Sequence, residues 1–300
     1  MEKKLPLSII IPTKDRAVLL IKTLTYLKKN IFFFNEVIII DSSEKNKISQ
    51  EKLNNFKKLN IKYYSSKPST AFQRNLGLKY INKKNKFIMF LDDDLKFYFN
   101  ALKIMKNYIK KMTPEIIGIG FNPIVKESNN ILEKIKNSSI FYKLGIYDSR
   151  PGVITPSGWH TKIQNIKKNI YVEWLPTKAC IYKIKKIKKL KFEITLGKYS
   201  YLEDLIFSHY MSKKGKLIIN SNAKFKDLNF IKRNDFLFGI IEIKNRLIFV
   251  KKNNYKINIF FLGYLFFLLN NLLSVVSDIK NFRRFFGNLI GILYLFRKIK

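Results

Sequence analysis

Phe87-Ile88-Met89-Phe90-Leu91-Asp92-Asp93-Asp94 decides the fold class of this chain. Five apolar residues form a run short enough for a buried strand, and three carboxylates follow at once. Upstream, Leu7 to Ile11 is a β-branched run stopped by Pro12, and Val37 to Ile40 is a second run ending in Asp41-Ser42-Ser43. Ile61 to Tyr64 and Ile116 to Phe121 complete five predicted strands. Between them, Ala17 to Lys29, Lys47 to Leu59, Thr70 to Ile81 and Phe99 to Lys111 have helical spacing. This alternation predicts an α/β fold: a Rossmann-like, mostly parallel sheet with helices on both faces. Ligands in such sheets bind beyond the carboxyl ends of the strands. The polar groups Thr13 to Arg16, Asp41 to Ser43 and Asp92 to Asp94 therefore fall on one edge.

The triplet carries the strongest chemical signal. Mg²⁺ and Mn²⁺ take oxygen ligands, commonly one or two carboxylates plus diphosphate oxygens. In an extended segment Asp92 and Asp94 point the same way and Asp93 points elsewhere. The plainer alternative is a solvated acidic turn or a helix N-cap. Asp41 can accept from a nucleobase imide or a ribose hydroxyl, or simply close an Asx turn. Arg74, in Ala71-Phe72-Gln73-Arg74-Asn75-Leu76-Gly77, either reaches a base or diphosphate or is one more surface cation. Glu203-Asp204 opens a predicted helix over Tyr201 to Lys214. A carboxylate there suits the helix dipole whatever its role, and it also suits a base that deprotonates an acceptor hydroxyl. His160 and His209 are structural or site histidines, and Trp174 is a core residue or an acceptor platform.

Composition narrows the classes. Lys and Arg number 58 against 21 Asp and Glu, a net charge of +37, which points to an anionic partner or to a general lysine bias. The single cysteine, Cys180, excludes an intrachain disulfide and suits a reducing cytosol. One Cys and two His exclude a Cys–His zinc site. Met1 to Pro6 has no signal-peptide pattern, so a cytoplasmic location is expected. From Asn122 to Asn169 Pro and Gly punctuate a long loop or insertion. Tyr171 to Trp174, Ala179 to Tyr182 and Lys216 to Ile219 read as further strands.

Residues 234–300 read as a helical tail after a domain spanning 1–233, itself divided into a nucleotide-binding half (1–121) and an acceptor half (122–233). Asp235 to Val250 is helical; Ile257 to Val276 and Phe285 to Phe296 are apolar. Asn258, Asn270 and Asn271 interrupt the longer stretch and favour a helix lying in the membrane plane over a spanning one. Arg283, Arg284, Arg297, Lys298 and Lys300 are then expected to meet lipid phosphates at the inner face of the plasma membrane. The alternative is a helix pair packed as a core.

With these residues in place the chain resembles family 2 glycosyltransferases of the GT-A fold. The matching pieces are Leu7 to Thr13 with Arg16, Val37 to Ser43, Arg74-Asn75-Leu76-Gly77, Phe90 to Asp94, and Tyr201 to Asp204 followed by Lys213 to Leu217. They cover roughly residues 5 to 225. The resemblance implies inverting transfer from a nucleotide-diphosphate sugar to a hydroxyl of a cell-surface or lipid-linked glycan, with Mg²⁺ or Mn²⁺ bound. It implies that Pro12, Thr13 and Asp41 hold the nucleoside with help from Arg74, and that Arg16 and Asp93 belong to the donor-binding set. It further implies that Asp92 faces the ribose or metal, that Asp94 ligates the metal and that Asp204 is the base. The chain departs from the family at Ser42, where a second acidic residue is common, and at Leu175 to Cys180, which lacks a glycine. Two rival readings are a nucleotidyltransferase and a protein that binds nucleic acid or another anionic surface. The first would want a Gly-rich phosphate loop after the opening strand, and none follows Pro12. The second leaves the aspartates unexplained, so no nucleic-acid partner is expected.

Overall fold

The structure is a computed structural model that describes residues 4–126, 139–187, 191–197, 199–228, 234–273 and 280–299. The chain divides into two compact units. The first comprises residues 1–125 and 163–230; the second comprises 126–162 and 231–300.

The first unit is built on one nine-stranded sheet. Its strands are β1 (Leu7–Thr13), β2 (Glu36–Asp41), β3 (Ile61–Ser65), β4 (Phe87–Leu91), β5 (Leu95–Phe97), β6 (Ile116–Pro123), β7 (Ile170–Val172), β8 (Ala179–Lys183) and β9 (Lys216–Asp227). The order is β3-β2-β1-β4-β8-β6-β9-β5, with β7 beside β9. The first four strands are parallel, as the alternating pattern predicts. Antiparallel β8 then sits between β4 and β6, while β6 and β9 are again parallel. The sheet beyond β4 is therefore mixed rather than a continuation of the parallel series.

Helices cover both faces of the parallel half. In α1 (Ala17–Lys29) the apolar stripe Leu20, Leu24 and Leu27 joins Ile9, Ile11, Val37 and Ile39 in the main core. Ile10 points to the other face, against α3 (Thr70–Tyr80). A Cβ on Gly77 would lie 2.7 Å from Cγ2 of Ile10, so that helix can approach the strand only with glycine there. Two further helices, α2 (Gln50–Asn54) and α4 (Ala101–Lys110), complete this half. The second half adds α6 (Ile184–Ile187) and α7 (Glu203–Ser212).

Between them in chain order comes α5 (Ser139–Lys143), which belongs to the second unit. That unit also holds α8 (Asp235–Lys252), α9 (Ile257–Leu273) and α10 (Lys280–Ile299). The tail is thus helical, and α10 begins earlier than its apolar stretch predicts. The end of the predicted stretch beyond Leu273, part of the 122–169 loop and Lys300 lie outside the described residues. No helix among the described residues is long and apolar enough to cross a membrane.

Candidate active site

The three polar segments do meet at the carboxyl ends of β1, β2 and β4. Pro12 is buried opposite Ile40, and Thr13 pairs with Asp41. The edge is closed from above by the buried Gln73 of α3, which donates to the carbonyls of Thr13 (2.9 Å) and Ile40 (2.8 Å). Asp15 fastens the loops: held at φ 54°, its Oδ1 accepts from the backbone N–H of Glu44 and Lys45 while its own N–H donates to Ser43 Oγ. An aspartate tolerates this left-handed conformation better than most residues.

The aspartate triplet is a turn between β4 and β5, not an extension of the strand. The alternation argument for Asp92 and Asp94 therefore does not apply, and a different pairing results. Arg16 Nη1 bridges Asp93 (3.1 Å) and Asp94 (3.0 Å). Asp93 is buried and also accepts from Thr13 Oγ1 at 2.5 Å. Asp92 turns the other way, to Nη2 of Arg74 at 2.8 Å.

Arg74 is the hinge of the site. It is among the largest side chains fully withdrawn from solvent, and its Nη1 pairs with Glu203. A residue read as a donor contact or a surface cation is thus buried between an acid of the triplet and an acid of α7. The rest of its motif supports it. Asn75 grips the backbone of Phe192 in both directions (2.9 and 2.7 Å), and the Ser69 cap meets Ser200 at 3.0 Å. The segment leading into α7 is thereby held against α3. Leu202, just before Glu203, is buried with φ 71°, an unusual conformation for a bulky residue. Such outliers persist where the surroundings over-determine them and cluster at functional sites.

The electrostatics follow from burial. Burial pushes the Glu203 carboxyl up to about 7, although Arg74 opposes the shift. Burial likewise raises Asp204, the half-buried neighbour, making it a better proton acceptor than an ordinary aspartate. Asp94 is pushed up to about 6 by burial and then by Asp92 and Asp93. Crowded carboxylates of this kind are what a cation stabilises. Asp41 is buried, and both its oxygens are engaged, by the Ser43 N–H (2.7 Å) and the Tyr63 hydroxyl (2.5 Å).

Two residues at this edge carried no signal of their own. Asp227 ends β9 opposite Leu95 and forms a 2.6 Å pair with Lys178, whose carbonyl accepts from the Asp92 N–H. Oδ1 of Asp227 is buried without a hydrogen-bond partner. A sharper weighting of rare acids in a basic chain could have found it. Trp174 is only 7% exposed, which favours its core reading. His209 is kept neutral by burial, its basicity lowered to about 4. His160 belongs to the second unit, where burial and then Arg246 lower it to about 3. A cleft lined by Glu115, Tyr171, Lys186 and Lys216 lies at the opposite strand ends and shares none of these groups.

Among the described residues no group of three His, Cys, Asp or Glu is arranged to hold a metal ion. The available donors, Asp92 and Asp94, are all oxygen and suit a hard cation whose other ligands are phosphate oxygens and water.

The family model described as Glycosyl transferase family 2 matches residues 8–167. No curated protein matches the chain. Among solved structures, S. aureus TarS 1-349 is 16% identical with a TM-score of 0.51, over 81% of this chain and 65% of that one. Its complex with UDP-GlcNAc gives 15% and 0.51, over 81% and 66%. The mannosyltransferase PcManGT from Pyrobaculum calidifontis, solved with GDP-Man and Mn2+, is 11% identical with a TM-score of 0.58, over 96% of this chain and 87% of that one. The chain thus spans somewhat less than two thirds of TarS 1-349. At these identities the likeness concerns the fold, a mixed α/β arrangement of the GT-A kind.

Proposed function

The chain belongs to glycosyl transferase family 2 and is a glycosyltransferase; from that premise we propose that it moves a sugar, with inversion, from a nucleoside-diphosphate sugar to a hydroxyl of a cell-surface or lipid-linked glycan. The family assignment favours sugar transfer over the nucleotidyltransferase and nucleic-acid readings.

The observation that carries the proposal is the Asp92–Arg74–Glu203 bridge. It joins the metal-type carboxylates on the strand edge to the helix that bears Asp204. Donor and base would then face one another across a fixed distance, as a single in-line displacement requires. In this reading Pro12, Thr13 and Asp41 border the nucleoside, and Arg16, held by Asp93 and Asp94, lies where diphosphate charge would sit. Asp204 takes the acceptor proton, aided by the burial that raises its affinity for it. Asp92 and Asp94 would hold Mg²⁺ or Mn²⁺, which neutralises charge on the departing diphosphate. Two of the similar structures carry UDP-GlcNAc and GDP-Man, which supports a donor of this class without choosing the sugar. The reading includes a cytoplasmic enzyme attached peripherally to the inner face of the plasma membrane through residues 234–300.

The test is a screen of nucleotide sugars for donor hydrolysis with Mn²⁺ and with Mg²⁺. Hydrolysis of one donor, lost with a chelator, is the expected result. Metal-independent hydrolysis would remove the metal from the proposal, and no hydrolysis of any nucleotide sugar would remove the donor class.

A further inference from the structure

The second unit buries polar and charged side chains among apolar ones such as Ile243, Phe249 and Phe260. Glu242, Asn245, Arg246, Asn271 and Asn288 are all at most 4% exposed. Arg284 donates to both Glu242 oxygens, at 2.8 and 2.6 Å. Tyr264 donates to the Asn288 carbonyl, and Arg246 donates to the Gly158 carbonyl and lies over the Trp159 ring. Meanwhile large apolar side chains face outward in stripes. On α9 these are Leu262, Leu265, Leu269 and Leu272, 41% to 59% exposed. On α10 they are Phe282, Phe286, Ile290 and Leu293, 42% to 58% exposed. Steps of three and four residues place each set on one helix face. Buried polar groups behind exposed apolar stripes are the unusual combination, because a helix facing water presents its polar side outward.

The packing between α8 and α10 is of the matching kind. Gly287 and Gly291, four residues apart, lie against Gly239 and Ile240. A Cβ at Gly287 would run into the Phe236 carbonyl, and one at Gly239 would approach the Arg284 carbonyl. Small residues at fourfold spacing let backbones touch, which is how helices associate where water does not drive them together.

We infer that the outer face of α9 and α10 docks in the plane of an anionic bilayer, with the leucine and phenylalanine stripes at the level of the acyl chains. This deepens the membrane attachment proposed above and does not depend on the catalytic reading. Charge selects the occupant. Residues 234–300 carry eleven Lys and Arg against three Asp and Glu, within a chain of net charge +37. Two copies bringing these faces together would repel, whereas anionic headgroups attract them. No described helix is long and apolar enough to span, and the one-sided stripes suit an in-plane position in the interface.

The test uses the full chain with phosphatidylcholine vesicles, with and without phosphatidylglycerol, at low and high salt. The wild type should float with anionic vesicles, and about tenfold less with neutral ones. The double variant Leu265→Glu/Leu269→Glu should lose at least about tenfold of the anionic binding while keeping its far-ultraviolet dichroism and donor hydrolysis. Should that variant fail to fold, Leu269→Trp provides a second measurement: brominated lipids should quench it. A wild type that ignores anionic vesicles at low salt, a folded double variant that floats undiminished, or no added quenching in Leu269→Trp relative to the wild type would each overturn the inference. So would a dimer that Leu265→Glu/Leu269→Glu dissociates without any vesicle binding. Because vesicle binding and donor hydrolysis are read separately, failure of one leaves the other interpretable.

Discussion

Arg74→Met keeps the aliphatic stem and removes the charge that joins Asp92 to Glu203. Arg74 and Glu203 are buried, with side-chain exposures of 2% and 9%, while Asp92 is 27% exposed. Removing one partner of a buried pair typically costs about 3–5 kcal/mol, because the other charge is stranded. The Asp92 share is smaller, since water reaches that carboxylate. A loss of about 3 kcal/mol should lower the melting temperature by roughly 10 °C in a domain of this size. The penalty should depend on pH in a defined direction. Burial already holds Glu203 near 7 with Arg74 present, against an ordinary 4.5. A carboxyl whose folded pKa is raised contributes stability that is full below its unfolded pKa and lost as pH rises through the folded one. In Arg74→Met the folded value moves higher still, so the added deficit should be small below about pH 7, where Glu203 is protonated in both folded proteins, and should open as pH rises to 8 and beyond. Adding Glu203→Gln removes the stranded charge and should recover about 2 kcal/mol at pH 8. Thermal melts of the parent, the single variants and the double variant across this range are the assay. If Arg74→Met melts within about 2 °C of the parent at pH 8, or if Glu203→Gln gives no recovery, the bridge does not hold the site together.

Asp94→Asn should abolish metal-dependent turnover yet leave the melting temperature at pH 8 unchanged or higher, because it relieves the burial and then the crowding that push this carboxyl up to about 6; a fall of several degrees would contradict that account. Asp204→Asn should lower kcat by roughly two to four orders of magnitude with donor affinity nearly unchanged, since base loss acts on the chemical step. A collapse of donor affinity measured by calorimetry would make Asp204 a binding residue and Glu203 the candidate base. Gly287→Val should force α8 and α10 apart at a cost of about 1–3 kcal/mol, seen as faster proteolysis of the second unit; unchanged proteolysis would mean the helix contact is dispensable.

What could be read from the sequence was what is local. β4 and α1 lie where their periodicity puts them, because an apolar run and a 3.6-residue stripe are properties of the segment alone. β9 was visible only as Lys216 to Ile219 but continues to Asp227. Its second half, Asn220 to Lys226, is mostly polar, with only Ala223 and Phe225 in the core, and is held as a strand by β5 and β6. β5, at three residues, has no period to detect. The candidate site divides in the same way. Strand-end position was enough to gather Thr13, Asp41 and the aspartates on one edge, because topology fixes which ends align. It could not give the partners. The bond between Arg74 and Glu203 spans 129 positions, and the turn at Asp92 to Asp94 reverses which carboxylates share a cation.

The tail shows the same limit from the other side. Asn271 interrupted an apolar stretch and counted against a spanning helix. In the fold it is only 4% exposed, and the leucines around it face out. An asparagine in an apolar helix is ambiguous by sequence, since it can mark the solvent side or the packed side. Only the packing decides, and here it puts Glu242, Asn245, Arg246, Asn271 and Asn288 at most 4% exposed and leaves the leucine and phenylalanine stripes facing outward. A helix set of this kind is most stable where that surface is not water, so the conditions for its full stability should include the partner it binds.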